Sequence, residues 1–351
     1  MKKIINLEGR LIGDGQPCFI IGEIGSNHNR DKQVVRSLID ACSEAKFDAV
    51  KFQIYDAEEA FSKNEMTTDV RLDHLYGKRP WWEVARDVIL MPREWFGEMF
   101  DYARSKNLIP LSAIHRPEDL DFLLQFGLSV IKIASIDLHY HHLLKDLARY
   151  NLPMIISTGM AYVSEIDETL RMLEAEGCDE IILLHCVSCY PPKPEDVNLR
   201  NITTFKNTFG LPIGFSDHST GIVTSVSATT LGAAVIEKHI TLDKKTPGPD
   251  HHFAIEPQEM AMLVDAIRET EVSLGNSRRS LSQSELDARV MIRRSIIAKK
   301  KIYKGQPVIL NMVKFARPGT GITTNEFRYV DGRLAKVDIP AETIIQWNMV
   351  E

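Results

Sequence analysis

A chain of 351 residues with 44% hydrophobic and 26% charged residues has the make-up of a soluble protein with a large core, and its length suits two domains. A formal charge of −6 argues against a nucleic-acid or anionic-membrane surface, and no apolar run nears the roughly 18 residues that cross a bilayer. The start Met1-Lys2-Lys3-Ile4-Ile5 lacks the apolar core of a secretory leader, so the expected location is cytoplasmic, with neither nucleic acid nor membrane among the partners.

In chain order, eight short apolar runs alternate with helical stretches. The runs cover residues 19–24, 49–54, 108–114, 130–134, 154–157, 181–186, 213–215 and 233–238. Unbroken apolar runs suit parallel strands covered on both faces. Between them, residues 31–45 put Val34, Val35, Leu38, Ile39 and Cys42 on one helical face. Pro92 precedes Trp95, Phe96, Met99 and Phe100, Ser164 with Asp167 forms a capping box, and Pro257 and Gly275 bracket the last helix. Eight such units predict an α/β fold, a (β/α)8 TIM barrel over residues 1–275, with an open doubly wound sheet as the competing topology. The stretch 56–91, with Trp81 and Trp82, is too long for an ordinary loop and reads equally as a lid or as surface decoration. Residues 276–290 read as a polar linker. Residues 291–351 read as a small β-rich domain, whose runs are broken by Lys304-Gly305, Arg317-Pro318-Gly319 and Asp331-Gly332. The five cysteines suggest no disulfide framework, and Cys186-x-x-Cys189, followed by Tyr190-Pro191-Pro192, reads as structural.

In a TIM barrel, catalytic groups project from the C-terminal strand ends. Here those ends carry Glu23, Asn27 and His28; Lys51 and Gln53; Ser112; Lys132 and Ser135; Ser157 and Thr158; His185, Ser188 and Tyr190; Ser216, Asp217 and His218; Glu237 and His239. Two lysines inside apolar runs, Lys51 and Lys132, are costly to bury unless an anion neutralises them. An internal pairing with Glu23 or Glu237 is the alternative. His218 and His239 fall at adjacent strand ends, where two imidazoles can share a divalent cation, with Glu23 completing that site or moving protons. The clusters His139-Tyr140-His141-His142 and His251-His252 lie in predicted loops, the first as surface and the second as rim.

Taken together, these segments resemble the sialic acid synthase family. The pieces are Gly22-Glu23-Ile24-Gly25-Ser26-Asn27-His28, Val50-Lys51-Phe52-Gln53, Lys132-Ile133-Ala134-Ser135 and Ser157-Thr158-Gly159-Met160. Leu184-His185-Cys186, Phe215-Ser216-Asp217-His218, Glu237-Lys238-His239 and Pro247-Gly248-Pro249-Asp250 follow in order, and the tail resembles the antifreeze-like (SAF) domain. The resemblance implies condensation of phosphoenolpyruvate with N-acetylmannosamine or a related aminosugar, giving a nine-carbon sialic (nonulosonic) acid and phosphate. It implies phosphoenolpyruvate contacts at Lys51, Ser112, Lys132, Ser135, Ser157, Ser188 and Ser216. Sugar contacts fall at Gln53, Tyr190, Asp250 and Arg317, catalytic carboxyls at Glu23 and Asp137, and ligands for manganese (Mg2+ or Co2+ as alternatives) at His218 and His239. Arg317 would be inserted into a partner's site, in a domain-swapped homodimer.

This chain departs from the family pattern in three places. The usual Ser-Thr-Pro-Phe is Ser112-Ala113-Ile114-His115, so a threonine hydroxyl is missing and Ser112 or His115 substitutes. Ile136-Asp137 replaces Gly followed by an acid, and Ser188 replaces an asparagine. Legionaminate, pseudaminate and spore-coat synthases of the same family remain alternatives. So do a Schiff-base aldolase built on Lys132 or Lys51, and a carbohydrate- or ice-binding tail on an inert barrel.

Overall fold

The computed structural model describes residues 1–351, and its chain opens with a hairpin that composition did not announce. β1 (Ile4–Leu7) turns through Glu8 and Gly9, both at positive φ, into β2 (Arg10–Gly13). Eight parallel strands follow and close in chain order into a barrel. They are β3 (Phe19–Glu23), β4 (Ala49–Gln53), β5 (Ile109–Ala113), β6 (Ile131–Ile133), β7 (Met154–Ser157), β8 (Ile181–Cys186), β9 (Ile213–Asp217) and β10 (Val235–His239). Closure pairs β10 with β3, setting Val235 opposite Phe19 and His239 opposite Glu23. The open-sheet alternative is thereby excluded.

Eight helices cover the outside: α1 (Lys32–Glu44), α2 (Phe96–Ser105), α3 (Pro117–Leu124), α4 (His141–Ala148), α5 (Val163–Ala175), α6 (Arg200–Phe209), α7 (Val223–Thr230) and α8 (Pro257–Leu274). Their starts follow local chemistry. The Asp31 carboxylate accepts from the Gln33 N–H at 2.7 Å and caps α1, while Pro117 and Pro257 open α3 and α8. The predicted Ser164–Asp167 box is not the one used: the N-cap is Tyr162, two residues earlier, and Glu165 accepts from the Tyr162 N–H at 2.6 Å. His141 and His142 open α4 instead of lying in a loop, because the Leu144 N–H already closes a turn on the Tyr140 carbonyl at 3.1 Å.

Two apolar layers result. Outward residues such as Val50, Phe52, Ile131 and Ile156 pack beneath the helices. Inward residues Phe19, Ile21, Ala49, Ile109, Leu111, Ile155, Ile182 and Val235 form a second core with Ile5, Leu7 and Ile12 of the hairpin, which closes the N-terminal end of the barrel. Each such Ile or Leu contributes about 1.5–3 kcal/mol through burial. No helix is long and apolar enough to cross a membrane.

The chain divides into two compact units, Met1–Gly275 and Asn276–Glu351. The stretch expected to be a linker contains most of a helix, α9 (Gln283–Ile292), because Ser282 and Glu285 make a reciprocal capping box with both hydrogen bonds at 3.2 Å. Beyond it, β11 (Ser295–Ala298) pairs antiparallel with β12 (Val313–Ala316). Ile296, Ile302, Val308, Val330, Ile339 and Ile345 form this unit's own core.

Candidate active site

Side chains alternate across a strand, so every second residue faces the barrel interior. Nearest the C-terminal ends these are Glu23, Lys51, Gln53, Ala113, Lys132, Ser157, Cys186, Ser216, Glu237 and His239. All line one cavity of about 950 Å3. Ser135, Ser188, Tyr190, His218 and Asp250 reach it from the following loops, and Phe61, Leu72, Trp81 and Ile89 of the long insertion form part of its wall. The insertion is therefore not mere surface decoration.

At the bottom sit two lysines and two carboxylates. Lys51 Nζ is 2.8 Å from Glu237 Oε1 and 3.2 Å from Glu23 Oε2, while Lys132 Nζ is 3.9 Å from Glu237 Oε2. Lys132 also donates to Ser157 Oγ at 2.6 Å and to the Ile133 carbonyl at 2.9 Å. Ser216 donates to Glu237 at 2.9 Å, and Gln53 to Glu23 at 2.7 Å. The internal lysine–glutamate pairing left open by the sequence is thus present.

That pairing leaves polar capacity over. Oε2 of both glutamates takes no hydrogen bond beyond its lysine contact, and the Ser188 hydroxyl is buried without a partner, at a cost on the order of 1–3 kcal/mol that a ligand would relieve. Burial pushes the Glu23 carboxyl up, the Glu237 charge adds to this, and Lys51 opposes it. Burial also works against Glu237, but Lys132 and Lys51 outweigh it and hold that carboxyl well below its ordinary value. Burial brings Lys132 down to about 8. One carboxylate therefore stays charged while its neighbour protonates readily, a division suited to two chemical roles.

Ser135 and Ser188 flank this cluster on either side of Gly159. The Gly159 N–H donates to Ser135 Oγ at 3.0 Å, and a Cβ at this glycine would come within 2.3 Å of Ser188 Oγ and 2.8 Å of Ser135 Oγ. Only glycine leaves both hydroxyls where they are. Ser112 does not join them. It faces outward, donating to the Phe52 and Ala113 carbonyls at 3.2 Å, because strand alternation gives the interior position to Ala113.

The opposite wall carries the imidazoles. The rings of His218 and His239 lie 5.3 Å apart, and Tyr190 packs on His218 at 4.3 Å. His239 Nδ1 is buried with no partner, 3.9 Å from an Asp250 oxygen, and Asp250 accepts from Ser26 at 2.9 Å. An orphaned imidazole nitrogen beside a second imidazole fits a divalent cation. No third His, Cys, Asp or Glu closes a preformed cluster, so such a cation would keep positions for substrate or water.

Several polar strand ends prove structural. Asp217 and Lys238 face outward and are fully buried 2.9 Å apart. The Asp217 carboxylate also accepts from the Ser219 N–H and from the Ser219, Thr224 and Ser225 hydroxyls at 2.6–2.8 Å. His185 stacks on Phe215, Thr158 bonds the Leu184 carbonyl, Asn27 bonds the Ile240 carbonyl, and His251 bonds Thr241. Sequence reasoning did not find the pairing of His115 with Asp137 at 2.7 Å; an Asp and a His each just past neighbouring strands was the available signal. Arg317 is exposed in the second unit, just after β12.

A barrel whose mouth gathers paired lysines and carboxylates, free hydroxyls and an imidazole pair is an enzyme of the (β/α)8 class. Residues 38–279 match the NeuB family and residues 293–351 the SAF domain. The chain belongs to the NeuB family, that of the sialic acid synthases, and carries a C-terminal SAF domain. It is 34% identical to N,N'-diacetyllegionaminic acid synthase of Legionella pneumophila, over 100% of this chain and 99% of that protein. It is 32% identical to human N-acetylneuraminate-9-phosphate synthase, over 98% and 95%. The crystal structure of N-acetylneuraminic acid synthetase from Leptospira borgpetersenii matches with a TM-score of 0.72 at 33% identity, covering 81% of this chain and 94% of that one.

Proposed function

We propose that the enzyme condenses phosphoenolpyruvate with N-acetylmannosamine or a related aminosugar aldehyde, giving a nine-carbon nonulosonic acid and phosphate. One observation carries this reading: Lys51 and Lys132, surrounded by hydroxyls, share a single cavity with His218 and His239. Lysines and serines suit a phosphate and a carboxylate, and Gln53, Tyr190 and Asp250 suit the hydroxyls and amide of a sugar.

A divalent cation at His218 and His239, manganese first, with magnesium or cobalt as alternatives, would supply Lewis acidity toward the aldehyde oxygen. The protein's own groups do the rest. Lys51 and Lys132 offset part of the trianion's charge and hold it in attack geometry. Glu237 stays ionised and faces the positive charge that develops at C2 as the enol carbon bonds the aldehyde carbon. Glu23, whose carboxyl is raised by burial, gives its proton to the aldehyde oxygen. Water then adds at C2 and phosphate leaves.

Arg317 of one subunit, acting in its partner's site, belongs to the same proposal, as does a cytoplasmic location, where phosphoenolpyruvate is made. The test is phosphate release from phosphoenolpyruvate across a panel of aminosugars, phosphorylated and not, with manganese present. Turnover lost in H239A and after chelation supports the reading; turnover retained in both sinks the metal role. One observation favours a Schiff-base aldolase instead, namely Lys132 brought down to about 8 by burial. Borohydride trapping of a pyruvate adduct on Lys132 would establish that alternative.

A further inference from the structure

One departure from the family motif, His115 in place of its phenylalanine, meets in space the acid that follows Ser135 and Ile136. His115 lies two residues beyond β5 and Asp137 ends the short turn Ser135–Asp137 after β6. His115 Nδ1 and Asp137 Oδ2 are 2.7 Å apart, the side chains are 15% and 11% exposed, and both line the cavity. The Tyr55 ring meets the imidazole edge-on at 5.5 Å and 87°, which fixes its plane. A carboxylate behind Nδ1 places the imidazole proton there and leaves Nε2 as an acceptor, and Nε2 takes no hydrogen bond from the protein. An imidazole oriented by a carboxylate and lining a substrate cavity is the arrangement of a general base.

Its neighbours indicate which reactant it serves. Asp137 shares its turn with Ser135, and Ala113, two residues before His115, pairs with Lys132 across the sheet. The pair stands at the β5–β6 side of the cavity with Lys132 and Ser135, whereas Tyr190, His218 and His239 come from the ends of β8, β9 and β10.

We propose that His115 is the base that activates the water adding at C2, with Asp137 a positioning residue that holds its tautomer; this rests on the reading in the preceding section. As the water oxygen bonds C2, one of its O–H bonds breaks and that proton passes to His115 Nε2. The bond between C2 and the phosphate oxygen then breaks, the electron pair leaves with phosphate, and the imidazolium returns the proton to it. The second water proton passes to the Glu23 carboxylate, which gave its own to the aldehyde oxygen, so both groups are restored. The imidazole thereby stands where the family motif has a phenylalanine, a side chain that carries no proton.

The test uses the full-length enzyme and the substitutions H115F, H115A and D137N, with phosphate release followed under saturating aminosugar. H115F keeps ring volume and installs the residue of the family motif, so it carries the test if H115A fails to fold. The expected result is a fall in kcat of at least about a hundredfold in H115F, with KM for phosphoenolpyruvate within about threefold of the parent. In H115A, added imidazole should restore part of the rate, which a merely structural role would not allow. D137N should lose about tenfold in kcat. H115F with an unchanged kcat overturns the proposal, as does a raised KM with kcat intact, which would mark a phosphate-binding residue, or a folded H115A that imidazole fails to rescue. A parent enzyme that releases no phosphate with any aminosugar sinks the preceding reading and this one together. A fully active parent alongside a fully active H115F sinks this one alone.

Discussion

Asp217→Asn is the substitution whose outcome the structure fixes most tightly. The carboxylate is fully buried, pairs with Lys238 at 2.9 Å and accepts from Ser219, Thr224 and Ser225. An asparagine turns one of its two acceptor atoms into a donor facing donors and leaves the Lys238 ammonium, itself fully buried, without a counter-charge. Breaking a buried pair from one side costs about 3–5 kcal/mol. For a unit somewhat larger than 250 residues, at about 2 °C per kcal/mol, the melting temperature should fall by about 6–10 °C. Burial raises the Asp217 carboxyl, but Lys238 and the hydroxyls outweigh it and hold it below its ordinary value. Its contribution is therefore complete above about pH 4 and fades as pH falls through the lower native value, so the gap between parent and variant should close in acid. Far-UV circular dichroism at pH 7 and pH 3 reads both numbers. D217L/K238M, which removes both charges, should recover half or more of the loss. Because His218 and His239 directly follow the pair, D217N should also weaken phosphate release. A D217N enzyme melting within 2 °C of the parent at pH 7 would refute the reasoning.

Other outcomes follow from the site. Lys132, at about 8, loses its charge above that pH, so kcat/KM for phosphoenolpyruvate should fall on the alkaline side with a limb near pH 8, absent in K132R. G159A should raise KM for phosphoenolpyruvate about tenfold or more while the melt stays within a few degrees, since its Cβ displaces the Ser135 and Ser188 hydroxyls. S112A should leave KM and kcat unchanged and cost about 1 kcal/mol at most, because the hydroxyl points away from the cavity. Mixing R317A with H239A should regain turnover that neither has alone if Arg317 serves a partner's site; two inactive proteins that stay inactive when mixed count against the exchange.

The barrel was readable because strands covered on both faces are apolar throughout and their spacing repeats. The same property hid which face each polar residue would take. Hydrophobicity does not alternate along such strands, so nothing in the sequence distinguished Ser112, His185 and Asp217, which turn outward, from Lys132, Ser216 and Glu237, which turn inward. Lys51 and Lys132 were found because a lysine in an apolar run demands a partner. That the partner would be both glutamates at once depends on barrel closure, which brings β10 against β3. The His115–Asp137 pair joins positions 22 residues apart and carries no spacing signal. The hairpin at Ile4–Gly13 has eight residues of strand, too few to show a period, whereas the Ser282–Glu285 capping box is a legible helix start within the polar stretch that reads as linker.

The hairpin beneath the barrel has a kinetic corollary. With the packed barrel interior it seals the lower end, so reactants come and go at the strand C-terminal ends. Lys132, 1% exposed, lies at the far end of that passage, and Tyr190, about half exposed, stands at its threshold. A sugar seated at the threshold blocks the way inward. Assembly of the ternary complex should then be compulsory in order, with phosphoenolpyruvate first, and excess aminosugar at scarce phosphoenolpyruvate should inhibit by locking the reactants out.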